Sequence, residues 1–180
     1  FAFVDAGRDR TVCAGTDSIR IIGIINGATS SNDVTWSAIP NPSSWYPNNP
    51  RGDLIVGYYI PPSIINGGTA TITMHANAEG TCPAVSDNMI LTVRPNPTST
   101  IAITGPNPIC SGSSSSVTFT ATPNTTVTYR INGGANQTII VGPSGTTVLP
   151  TGILTTSTTY NIVSVTYTDP PACLQNINVS

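Results

Sequence analysis

Lysine is absent from this sequence, histidine occurs once, and only 8% of the 180 residues carry a formal charge, against about 25% in an ordinary soluble domain. The six basic residues are all arginine and the net charge is −2. No surface of that kind neutralises a phosphate backbone, so nucleic-acid binding is disfavoured. No apolar run approaches the roughly 18 to 20 residues of a membrane span. No positively charged segment followed by an apolar stretch opens the chain, so no signal peptide is visible at Phe1, and an internal portion of a longer secreted protein is expected. The four cysteines form no CxxC pair; with one histidine this speaks against zinc and for oxidised pairs, and so for an extracytoplasmic location.

Chemistry-bearing constellations are equally scarce. The eight acidic residues are scattered singly, whereas carboxylate catalysis needs two that converge. The histidine, His75, has no Gly-x-Ser-x-Gly turn near it, which removes the usual serine-nucleophile arrangement. The expectation is therefore no enzyme, no catalytic residue, no cofactor and no bound metal.

What the chain has instead is glycine and proline, 16 of each, many β-branched residues, and Ser and Thr at about a quarter of the total. Hydroxyls and amides carry its solubility. A duplication also emerges when the second half is laid over the first. Val12-Cys13-Ala14-Gly15-Thr16 matches Ile109-Cys110-Ser111-Gly112-Ser113 at an offset of 97 residues, Val34-Thr35-Trp36 matches Val127-Thr128-Tyr129, and the two copies close with Cys82 and Cys173. Between them lies Arg94-Pro95-Asn96-Pro97-Thr98, whose prolines suit a stiff extended junction rather than a central strand. The sequence thus predicts two domains, residues 1–94 and 95–180, each small enough to need a covalent staple.

Alternation sets the faces of the strands. Val34, Trp36 and Ala38, then Ile72, Met74 and Ala76, are expected inward, with Thr71, Thr73, His75 and Asn77 outward. Ile19, Ile21 and Ile25 read as inward, leaving Ile22 and Ile24 outside. In the second copy Val117, Phe119 and Ala121, then Val127, Tyr129 and Ile131, read as inward, with Asn132-Gly133-Gly134 as a turn. Thr159-Tyr160-Asn161-Ile162 resembles a tyrosine corner with Ile162 in place of the usual cysteine. No helical period is sustained anywhere. Seven or so short strands per copy point to an all-β chain of two β-sandwiches with Greek-key connections.

Asp5-Ala6-Gly7-Arg8-Asp9-Arg10-Thr11-Val12-Cys13-Ala14-Gly15, with Cys82-Pro83-Ala84-Val85-Ser86-Asp87 and Leu91-Thr92-Val93, resembles the PKD-like repeat of Bacteroidota cell-surface proteins. Ile109-Cys110-Ser111-Gly112, Thr122-Pro123-Asn124, Asn132-Gly133-Gly134 and Thr158-Thr159-Tyr160 are similar to the repeat that follows it in gliding-motility adhesins of the SprB type. The resemblance spans nearly the whole chain. It implies two tandem immunoglobulin-like (PKD-like) sandwiches, export by the type IX pathway, and a structural or adhesive role at the cell surface in gliding or attachment. Its partners would be neighbouring repeats and a surface polysaccharide or substratum. A carbohydrate-binding module of an exported glycan-degrading enzyme is the alternative.

From the duplicated early and late cysteines we expect Cys13 to pair with Cys82 and Cys110 with Cys173, although Cys13 and the loop of Cys82 are hard to place at one end of a regular sandwich. Only seven residues follow Cys173, so the last strand of the second copy is expected to be shortened. Remaining motifs have bland readings. Arg51-Gly52-Asp53 spells an integrin tripeptide of the kind that arises by chance. Asp17-Ser18-Ile19 resembles the O-glycan acceptor of this bacterial group. Asn124-Thr125-Thr126, Asn136-Gln137-Thr138 and Asn178-Val179-Ser180 fit an N-glycan sequon without bacterial context to support it. Asp5 and Asp9 are weak candidates for calcium. Trp45, Tyr46, Tyr58 and Tyr59 are candidates for a sugar platform, with core packing the commoner use of such residues.

Overall fold

The computed structural model describes residues 3–26, 34–77 and 83–179. They form sixteen strands and, among the described residues, no helix. The chain divides into two compact units, Phe1–Pro95 and Asn96–Ser180.

The first unit contains β1 (Phe3–Asp5), β2 (Arg10–Cys13), β3 (Ser18–Ile22), β4 (Ile24–Asn26), β5 (Val34–Ile39), β6 (Trp45–Tyr46), β7 (Ile55–Tyr59), β8 (Gly68–Ala76) and β9 (Val85–Arg94). A four-stranded sheet in the order β2-β9-β8-β5 faces a three-stranded sheet β3-β7-β6, and β1 pairs with β4. The inward sets fall where alternation put them: Val34, Trp36, Ala38, Ile72, Met74, Ala76, Ile19 and Ile21 are all buried, and Ile25 packs on the same core. Ile22 and Ile24 are exposed. The two faces of this core come very close at Gly23, where a Cβ would lie 2.6 Å from Met74 Sδ and 2.7 Å from Trp36 Cζ2. Only a residue without a side chain fits there.

Polar pairs line the outer face of β8 and β9, as the register requires. Thr73 Oγ1 donates to Asn88 Oδ1 at 2.7 Å, and His75 Nδ1 lies 2.7 Å from Ser86 Oγ. Both pairs are direct cross-strand neighbours, the unit of sheet stabilisation on a wet face. Thr71 is exposed, while Thr73, His75 and Asn77 are half-buried on that face.

The second unit contains β10 (Ser99–Ile103), β11 (Ser113–Ala121), β12 (Thr125–Ile131), β13 (Gln137–Val141), β14 (Thr146–Leu154), β15 (Tyr160–Tyr167) and β16 (Leu174–Val179). Its sheets are β10-β11-β14 and β13-β12-β15-β16, so the chain changes sheet between β11 and β12, between β13 and β14, and again between β14 and β15. Val117, Phe119, Ala121, Val127, Tyr129, Val141, Ile162 and Val165 fill the space between them, with Ile131 and Tyr160 at its margin. Asn132 and Gly133 take φ of 49° and 70°, and Gly134 N–H donates to Ile131 C=O at 2.9 Å. That is the backbone of a type I′ turn, whose twist matches the strands it joins. The last strand, β16, is six residues long against ten in β9, yet it pairs with β15 from Thr166 to Ile162.

Each unit is threaded from one end to the other. In the first, Ala6 N–H donates to Asp87 Oδ2 at 2.8 Å, and β2 then runs parallel to β9 with Cys13 opposite Arg94. The chain leaves the unit about 23 Å along β9 from the place where it came in, at ~3.3 Å per residue. In the second, Ser99 pairs with Ala121 at the incoming end, and Val179 pairs with Ile162 near the opposite end.

Candidate functional site

The four cysteines carry the only reactive chemistry singled out in the sequence, and the two units treat them differently. Cys13 and Cys173 are disulfide-bonded. Cys110 is free and exposed. Cys82 lies outside the described residues, and with it the expected Cys13–Cys82 pair. The expected Cys110–Cys173 bridge is absent, and geometry gives the reason. Cys110 sits before β11, where Ser113 N–H donates to its carbonyl at 3.0 Å. Cys173 sits beside the other end of that sandwich, its carbonyl accepting from Tyr167 N–H at 3.3 Å, and Tyr167 is paired with Thr125. The length of β11 separates the two cysteines by about 25 Å, whereas a disulfide needs Cα atoms within about 7 Å.

Beside Cys110 the second unit is open. A groove of about 830 Å³ runs between the segment 106–111 and the segment 154–160. Ile101, Pro108, Ile109, Val117, Leu154 and Tyr160 are its apolar lining, and several threonines and serines line it as well. Tyr160 stacks on Tyr129 with ring centroids 6.5 Å apart, and burial, followed by the neighbouring Tyr129, pushes its phenol above the usual pKa. The resemblance of residues 159–162 to a tyrosine corner thus places Tyr160 at the start of β15 and Ile162 fully inside the core.

The aromatic candidates of the first unit part company. Tyr58 is wholly buried and donates its hydroxyl to Pro40 C=O at 3.0 Å; burial raises its pKa to about 12. Trp45 packs edge-on against it at 5.6 Å between centroids. Those two belong to the core. Tyr46, at 71% exposure, and Tyr59 stand on the outer face of the β3-β7-β6 sheet with Ile22 and Ile55. Tyr46 and Arg20 flank Gly57 there, and Ser18 faces Tyr59 across the β3–β7 pair. Trp36, matched by Tyr129 in the other unit, is buried and donates Nε1–H to Asp53 C=O at 2.9 Å.

The remaining motifs are absorbed by structure. Arg51-Gly52-Asp53 is tied down at Gly52, whose N–H donates to Val34 C=O at 2.8 Å, and at Asp53 by Trp36. Asp5 Oδ1 accepts from Gly7 N–H at 2.7 Å, Asp9 Oδ1 from Ile90 N–H at 2.8 Å. Each carboxylate is thus satisfied by backbone, and among the described residues no group of three or more ligating side chains converges. Ser18 is exposed on β3. Asn124 and Asn136 are exposed, the second accepting from Arg130 Nε at 2.6 Å; Ser180 of the third sequon lies outside the described residues. Also among the described residues, no helix is long and apolar enough to cross a membrane.

No family model and no curated protein matches the chain. A solved marsupial T cell receptor superposes on 99% of this chain and 71% of its own, with a TM-score of 0.54 and 9% identity. The fold is immunoglobulin-like. At that identity the likeness extends to architecture alone, and the receptor's recognition surface has no bearing on the loops of these immunoglobulin-like units.

Proposed function

We propose that this chain is a pair of structural and adhesive modules from a large exported cell-surface adhesin, acting as a spacer in gliding or attachment and performing no chemistry of its own. The observation that carries the reading is the threading of each immunoglobulin-like unit, in at one end and out at the other. A module entered at one end and left at the other lets another follow it without its own chain having to double back across it. The duplication, the disulfide-bonded cysteines and the likeness to PKD-like repeats support it; oxidised cysteine belongs to extracytoplasmic proteins. The test is hydrodynamic. Arrays of one, two and four copies of the full chain should sediment with a frictional ratio that climbs at each step. A ratio that stays flat, as for particles that fold back into a globule, would sink the spacer role.

A second reading rests on Tyr46 and Tyr59, exposed beside Arg20 on one sheet face. Aromatic faces with a flanking donor are suited to sugars, and a carbohydrate-binding module would use them so. A glycan array giving a hit near micromolar, about −8 kcal/mol, and losing it in Tyr46→Ala, would move the assignment there.

A further inference from the structure

The sheet β3-β7-β6 turns one face to solvent, and its register fixes what stands there. Ser18, Arg20 and Ile22 of β3 lie opposite Tyr59, Gly57 and Ile55 of β7, and Tyr46 of β6 lies opposite Gly57 from the other side. The middle row is therefore Arg20, Gly57, Tyr46. Strands run about 4.8 Å apart, so the backbones of Arg20 and Tyr46 stand about 10 Å apart, with no side chain between them. Tyr59 and Ile55 close this notch along β7, each about 7 Å from Gly57.

Nothing in the backbone demands glycine at that point. Gly57 has no positive φ, and its pairing with β3 runs without a bulge. A Cβ there would meet Tyr46 Cβ at 3.3 Å, a contact that so exposed a tyrosine relieves by a small shift. Glycine weakens a strand interior, and where neither turn nor bulge requires it, it lets something approach the backbone closely. Arg20, the one charged residue on the face, is exposed, and its guanidinium makes no hydrogen bond or ion pair among the described residues. Arg10 Nη1 donates to the Arg20 carbonyl at 2.7 Å and so brings a second cation to the same strand.

We propose that the notch binds a uronic acid residue of an acidic polysaccharide, with the C–H face of the ring against Tyr46 and its carboxylate in the fork of Arg20. A planar guanidinium matches a carboxylate with two parallel hydrogen bonds, and a tyrosine offers an apolar face with a polar tip. Tyr59 and the Ile22–Ile55 pair extend the surface for the neighbouring sugars. A protein partner would have to supply the flat apolar group and the carboxylate from separate residues, whereas one uronate ring carries both on a rigid body. The inference rests on the sugar-binding reading of this face and adds to it the charge of the sugar.

The test is calorimetric titration of the full chain with oligomers of galacturonic, glucuronic and mannuronic acid, each beside its methyl ester, which keeps the ring and removes the charge. At least one acid should bind about tenfold or more tighter than its ester, and the preference should shrink as salt is raised. Arg20→Gln should abolish the preference, and Arg20→Lys, which keeps the charge and loses the fork, should restore only part of it. Tyr46→Ala should weaken acid and ester alike, with its thermal unfolding matching that of the parent. Acids and esters that bind equally overturn the inference and leave the sugar platform standing, as does binding of neutral glycans alone. If no glycan of either kind binds, the platform reading fails and the inference with it. A preference that survives Arg20→Gln, or that polyglutamate reproduces, also overturns it, since general attraction would then be at work. So does a dimer of the chain that sedimentation shows to depend on Tyr46, because the face would then belong to a second copy.

Discussion

The two units share a cysteine motif and build it differently. In the first, Arg10 to Cys13 form a strand that pairs in parallel with β9. In the second, the equivalent residues Asn107 to Cys110 lie outside any strand, and the opening strand β10 joins the other sheet, against β11. The offset of the repeat puts Pro108 where the first unit has Thr11. Proline has no N–H to give a ladder, so the segment cannot copy β2. A repeated motif thus preserved where the cysteine stands along the unit, and left its backbone pairing to local chemistry.

The largest expected effect tests whether the two cores are anchored alike. Trp36→Ala should cost the first unit about 3 to 5 kcal/mol, from lost contacts, a cavity and an orphaned Asp53 carbonyl. Trp36 and Trp45 are the two tryptophans of the chain, so in denaturant titrations fluorescence from the remaining Trp45 reports that unit alone. A loss under about 1 kcal/mol would mean that Trp36 is no anchor. The matched change Tyr129→Phe, which removes only the hydroxyl that donates to Gln137 Oε1 at 3.1 Å, should cost the second unit about 0.5 to 1.5 kcal/mol by circular dichroism.

The cysteines come next. Cys13→Ser should lower stability by about 2 to 4 kcal/mol in the chain-entropy account of disulfides, while Cys110→Ser should stay within about 0.5 kcal/mol. Equal effects in chemical denaturation would erase the distinction drawn between the two motif cysteines.

The smallest effect concerns Tyr58, the wholly buried tyrosine of the first unit. Its pKa is raised from the ordinary 10.0 to about 12 by burial. A raised folded-state value means that its contribution is fully present below pH 10 and is lost as the pH climbs towards 12, because the unfolded chain ionises first. Tyr58→Phe should cost about 0.5 to 1.5 kcal/mol near neutrality and should make the first unit less sensitive to pH in that window. A variant whose alkaline loss matches that of the parent would show that the hydroxyl is not protected in the fold.

Legibility from sequence followed the range of the interactions. Period-two alternation is a local signal, and it placed Val34, Trp36, Ala38, Ile72, Met74, Phe119 and Val127 on the buried faces where they lie. The turn at Asn132-Gly133 is local too. What escaped was non-local. No pattern in residues 10–13 says that their partner is β9, eighty residues later and parallel to them. Nor does any local pattern reveal that Asp9 takes the backbone amide of Ile90, far along the chain. The pairing of Cys110 with Cys173 failed for the same reason: order along the chain carries no information about which end of a sandwich a loop occupies.

The parallel pairing of β2 with β9 gives the first unit a mechanical grain. Tension applied through the incoming segment draws Arg10 to Cys13 one way along the sheet, and tension through the outgoing linker draws Leu91 to Arg94 the other. The strands must then slide past each other with every rung strained at once, rather than unzip one rung at a time. Side chains that slide carry their own resistance, since Val12 packs on the core and Asp9 holds Ile90 by its amide. A unit wired in this direction is stiffest along the line on which a tether would pull it.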